Sequence, residues 1–265
     1  MASGYPGWGL NPNPHGIDMR HGVDSRDDVR QRVEQRVDQE INEANIFEAL
    51  PLRLTRQTQI STQVDQEMDS QAQSLAEGIT TRNAPPIAAT NYLSMDHGAE
   101  LMPMVTDGVD PGQVGEMGRT WTDIGNEMIN FQRDFANAIS SSEADWQGTA
   151  GDHARRYMVD MANYIGAAGQ SAALAGTQQS THADALATAK ASMPEPVPFD
   201  PAQANADLQQ IIDPFAYMTK YEQDMRAYEE SQAAHQKAAE VLGAYDASLG
   251  GAGVMPSFGA PPMMG

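Results

Sequence analysis

The chain has 265 residues, a formal net charge of −20, no cysteine and 6% aromatic residues. The charge argues against nucleic acid and anionic lipid as direct partners, because neutralising phosphate needs clustered Lys and Arg. The lack of cysteine excludes disulfides and thiolate metal sites, and an apolar content weighted towards alanine suits thin bundles of long helices better than a thick globular core.

In chain order, residues 1–24 are rich in Gly, Pro, Asn and His without an apolar period, and composition assigns them to a flexible N-terminal arm. Ser25 is a good N-cap with Asp27 and Asp28 behind it. From there Val29, Val33, Val37 and Ile41 form one narrow stripe that continues towards Phe47, until Pro51 ends or kinks the helix. A second stripe, Ile60, Val64, Met68, Leu75 and Ile79, reaches about Thr80. Residues 25–83 therefore read as an antiparallel helical hairpin with arms of about 35 Å at ~1.5 Å per residue. Asn83-Ala-Pro-Pro-Ile marks its end, and residues 84–109 read as a linker.

Asp110-Pro111 is a helix start. Val114, Met117, Trp121, Ile124, Met128, Phe131, Phe135 and Ile139 follow at spacings of three and four, which predicts a packed seam. Trp146-Gln147-Gly148 then supplies a reversal, since Gly148 tolerates backbone angles that other residues avoid. The return helix has a small-residue face through Ala154, Ile165, Ala168 and Ala172 and runs to about Ser192. Proline-rich residues 193–201 form an extended break. A short helix over Gln203–Ile212 and a long one along Phe215, Met218, Tyr221, Met225, Tyr228, Ala239 and Leu242 complete a helical domain over 110–249. Residues 250–265, rich in Gly, Pro and Met, read as a disordered tail. The fold class expected is all-α: an elongated bundle of long antiparallel helices with disordered ends.

Enzyme function finds little support. The six histidines lack paired ligand spacing, the acidic residues are scattered over helix faces, and no nucleophile, phosphate-loop or dinucleotide fingerprint occurs. No catalytic residue, cofactor or metal site is expected. The first residues lack a basic stretch followed by an apolar one, and no run of about 18 apolar residues is present, so neither a classical signal peptide nor a membrane span is encoded.

Two short motifs carry a resemblance. Tyr92-Leu-Ser-Met-Asp96 has the Tyr-x-x-x-Asp pattern, and Trp146-x-Gly148 lies at the expected helical reversal. From Ser94 to Leu249 the chain resembles the PPE domain of actinobacterial type VII (ESX) secretion substrates: Met95-Asp-His-Gly-Ala99 stands where the family has Met-Asp-Phe-Gly-Ala. The Trp-x-Gly turn, an Ala-rich helix, a proline-rich break and a Tyr- and Met-bearing helix follow in order. The Pro-Pro-Glu triplet is absent, with Glu100-Leu-Met-Pro103 in that region. The upstream hairpin stands where a PE-type helical pair would stand, so the whole looks like an EspB-like PE-PPE fusion.

The resemblance implies a secreted or cell-surface protein made in the cytoplasm, with Trp146, Gly148, Tyr92 and Asp96 as a bipartite export signal. A transient partner, the type VII secretion ATPase and translocon, and ring-like homo-oligomers after export are implied in the same way. Membrane association is permitted but not encoded by a transmembrane segment. The alternative is an intracellular structural or adaptor helical bundle whose Trp-x-Gly is accidental.

Overall fold

Ser25 opens the first helix with a reciprocal cap: its side chain accepts from the Asp28 backbone N–H, and the Asp28 carboxylate accepts from the Ser25 N–H. A computed structural model describes residues 16–83, 90–142, 147–251 and 254–263. Along them run α1 (Arg26–Glu43), α2 (Ile46–Ala76), α3 (Pro103–Thr106), α4 (Pro111–Ser141), α5 (Thr149–Ser192), α6 (Pro201–Gln209) and α7 (Pro214–Gly251). β1 (Thr81–Asn83) pairs with β2 (Val254–Pro256). The architecture is an all-α helical bundle with this one small sheet.

Two compact units are present, and they interleave in sequence. The first takes residues up to 82, 116–180 and 254–265; the second takes 83–115 and 181–253. These units cut across the sequential division into hairpin 25–83, linker 84–109 and helical domain 110–249, and α4 and α5 each contribute to both. Positions 1–15 of the expected arm, 84–89 of the linker, 143–146 including Trp146, and 252–253 and 264–265 of the tail lie outside the described residues.

In the first unit, α1 and α2 form the expected hairpin around Val29, Val33, Val37, Ile41, Ile60, Val64 and Met68. Burying each such side chain contributes about 1.5–3 kcal/mol. Ion pairs match early α1 with late α2 (Arg26–Asp65 at 2.5 Å) and late α1 with early α2 (Arg56–Asp38 at 2.6 Å), as antiparallel helices require. The reversal falls at Ala44 and Asn45, not at Pro51. Asn45 accepts from the N–H groups of Phe47 and Glu48 and restarts the helix. Pro51 sits inside α2 near its start, where a missing N–H costs one backbone bond. Phe47, expected to continue the buried stripe, is 89% exposed.

The arm also departs from expectation. Residues 16–24 are held by side-chain amides rather than by an apolar period, which is why composition misread them. Gln132, fully buried, accepts from Arg20 N–H at 3.0 Å and donates to Asp18 C=O at 2.9 Å. Asn126 does the same for both backbone groups of Val23, and Ile17 is buried against Ile139 and Ala162. The tail differs for a similar reason: β2 pairs with β1, Ser257 N–H donates to Thr80 C=O, and Phe258 packs near Trp121.

Only part of the expected seam of α4 is buried: Ile139 fully, and Val114, Met128 and Phe135 in part. Gly118, Thr122, Gly125, Ile129, Gln132 and Ile139 are buried, whereas Met117, Trp121, Ile124 and Phe131 are exposed. Glycines set this choice. A Cβ added at Gly125 would lie 2.7 Å from both Ala173 N and Gly169 O, so the two backbones approach too closely for the large side chains to stand between them.

In the second unit Leu101, Val105, Ala189, Met193, Ala238, Val241 and Leu242 form the core. The proline-rich segment after Ser192 is extended, and Asp200 caps α6. Only the later part of α7 is buried; Phe215, Met218, Tyr221, Met225 and Tyr228, expected in its packed stripe, are exposed.

Candidate functional site

Tyr92 opens a 3-10 turn (Tyr92–Ser94) in the second unit. Its ring is partly buried against the Leu101–Leu242 core, and its hydroxyl donates to Asp246 Oδ2 at 2.6 Å. Burial, and then the bond to a carboxylate, push the phenol above its ordinary range. It remains a neutral donor at physiological pH.

Asp96 is exposed and caps a π-helical turn (His97–Leu101). Its Oδ1 accepts from Ala99 N–H at 2.6 Å, and its own N–H donates to Glu100 Oε2 at 2.6 Å. Leu101 N–H reaches back to Asp96 C=O at 2.9 Å, the wide ring of a π turn. Tyr92 and Asp96 are not successive positions on one helical face, because Met95 between them is extended (φ −102, ψ 152). The four-residue spacing here joins a buried anchor to an exposed cap.

Next to Asp96 lies a cleft of about 640 Å³ lined by His97, Gly98, Pro196–Asp200, Ser231, Gln232 and His235. Its polar groups are largely engaged. His97 Nε2 bonds Pro194 C=O at 3.0 Å, His235 Nε2 bonds Leu93 C=O at 3.2 Å, and Asp200 caps Ala202 and Gln203 N–H. The two imidazoles meet edge to face at 6.1 Å. Among the described residues no group of three His, Asp or Glu side chains converges in the manner of a metal site.

Gly148 belongs to the first unit. Its φ of +90° is the left-handed conformation expected of it, and its carbonyl accepts from Asp152 N–H at 3.0 Å, opening α5. An added Cβ would meet nothing within 4 Å, so conformation alone favours glycine there. Of the four motif residues the structure joins Tyr92 and Asp96 in one segment, holds Gly148 in the other unit, and leaves Trp146 outside the described residues.

Sequence reasoning missed Asp246, the partner of Tyr92, for which no local pattern exists. It also missed the exposure of the α4 stripe. A signal for that was present: glycines seven apart on both helices, Gly118 and Gly125 facing Gly169 and Gly176, identify a close-packed face at right angles to the large apolar residues. No family model matches the chain, and no curated protein matches it. No helix among the described residues is long and apolar enough to cross a membrane.

Proposed function

We propose that this protein is a substrate of a type VII (ESX) secretion system, of the EspB-like PE-PPE kind, with Trp146, Gly148, Tyr92 and Asp96 as its export signal. The observation that carries the reading is the left-handed Gly148 at the start of α5, after a helix of the expected length and before another, in the position a Trp-x-Gly turn demands. The all-α architecture and the α1–α2 hairpin support it. The secretion ATPase and translocon are the transient partners in this proposal. Self-assembly after export would use apolar surface such as Phe215, Met218 and Tyr221 on the first half of α7.

A second reading is favoured by a specific observation. Both described residues of the Tyr-x-x-x-Asp motif have structural tasks, Tyr92 as an anchor for α7 and Asp96 as a cap. That is how they would behave in a helical adaptor with no export signal.

Expression in an ESX-competent actinobacterium and in its ATPase-deleted counterpart separates the two. The export reading expects the protein in the supernatant only when the ATPase is present, and expects Trp146→Ala to abolish release while the chain stays folded. Normal release of that variant, or release independent of the ATPase, would overturn it.

A further inference from the structure

Among the described residues of the first unit, one face of α4 has no packing partner along most of the stretch from Met117 to Phe131. Met117, Trp121, Ile124 and Phe131 recur at helical spacing and are 37 to 56% exposed, although the helix buries smaller residues on the side towards α5. Phe258 reaches only the Trp121 position, with ring centroids 6.2 Å apart. The stripe extends for about 20 Å at ~1.5 Å per residue, the reach of some four helical turns. Exposed aromatic and sulfur-bearing side chains in such a row are the marks of a helix-binding face.

Charge decides what covers it. Glu116, Asp123, Glu127 and Asp134 form a second exposed row on the same helix, about 100° around from the stripe at ~3.6 residues per turn. None of the four has an ion-pair partner among the described residues. The nearby cation Arg119 is already paired with Asp27. An antiparallel pairing of two copies through the stripe would set one acidic row against the other, which opposes a second copy of this chain at this particular face.

We propose that the Met117–Phe131 face of α4 is a docking site for a basic amphipathic helix of a different protein. The partner's apolar residues, at spacings of three and four, lie against Met117, Ile124 and Phe131, and its Lys or Arg flank faces Glu116, Asp123, Glu127 and Asp134. The site uses neither export motif, so it stands or falls separately from the secretion reading.

The test is titration calorimetry of the full chain with two synthetic helical peptides. Both carry Leu at spacings of three and four; one has a Lys flank and the other has Glu in those places. The Lys peptide is expected to bind and the Glu peptide not. Ile124→Ser with Phe131→Ser, both exposed and checked for folding by circular dichroism, should weaken the Lys peptide at least tenfold. E116Q, D123N, E127Q and D134N together should weaken it comparably. Neutralising Glu222, Glu229 and Glu230 on α7 should leave it unchanged and so controls for non-specific attraction to an acidic protein. Equal binding of both peptides, survival of binding in the Ile124/Phe131 variant, or an equal loss from the α7 neutralisation would overturn the proposal. So would light scattering that shows a dimer of the full chain dispersed by Phe131→Ser, because a second copy would then be the occupant.

Discussion

The Tyr92 hydroxyl donates a 2.6 Å hydrogen bond to Asp246, 154 residues further along the chain. This ties the segment carrying Tyr-x-x-x-Asp to the last long helix of the second unit. A residue proposed as a recognition element therefore also holds the fold together, and the two roles need separate readouts.

Tyr92→Phe removes the donor and leaves the ring, while Asp246→Ala removes the acceptor and leaves the phenol. A hydrogen bond to a charged group contributes about 1.5–3 kcal/mol when buried, and partial exposure here places each variant at or below the lower end. Urea denaturation should show similar losses for both. If Tyr92 is read by an export receptor, secretion falls in Tyr92→Ala and persists in Asp246→Ala. Equal secretion defects in the two would trace the effect to stability alone.

Gly125→Ala should be destabilising although alanine is the better helix former. Its Cβ would stand 2.7 Å from Ala173 N and Gly169 O, main-chain atoms that move only if α4 and α5 separate. Overpacking of this kind costs about 1–3 kcal/mol. Gly243→Ala on α7, where nothing lies within 4 Å, should instead stabilise by up to about 1 kcal/mol. Thermal melts of the two variants should shift in opposite directions.

Gln132→Leu tests the attachment of residues 16–24. It leaves Arg20 N–H and Asp18 C=O without their amide partner, at a cost of about 1–3 kcal/mol. Amide exchange at Arg20 should accelerate sharply. Val23, held independently by Asn126, should change much less. Uniform acceleration across the whole unit would mean that Gln132 supports the core rather than residues 16–24.

Stability should fall on acidification in two windows. Burial holds the His182 imidazole, 2.6 Å from the Tyr245 hydroxyl, below its ordinary value of 6.5. The unfolded chain therefore takes up that proton first, and the contribution of neutral His182 is complete above 6.5 and is lost as pH drops through the folded value. Glu67 is lowered by its hydrogen bond from Arg36 and then by that from Arg32. Its contribution is present above its ordinary 4.5 and disappears as pH falls through the depressed value. Denaturation midpoints measured across pH should lose the upper slope in His182→Gln and part of the lower one in Arg36→Gln.

The sequence by itself determined the helices and the hairpin, because these rest on local chemistry. The Val29–Ile41 and Ile60–Met68 stripes, the Ser25 cap, the Asp110-Pro111 start of α4, the proline-rich break and the conformation of Gly148 all depend on neighbours within a few residues. Tertiary structure alone decided which face of α4 is buried, since close approach at paired glycines outweighed the greater hydrophobicity of the Met117–Phe131 row. It also decided that residues 16–24 and 254–258 are held, through amide side chains and a strand pairing that no periodicity announces. The Tyr92–Asp246 bond belongs to the same class. A single directional contact between distant residues leaves no repeating mark along the chain, whereas burial of a helix face must.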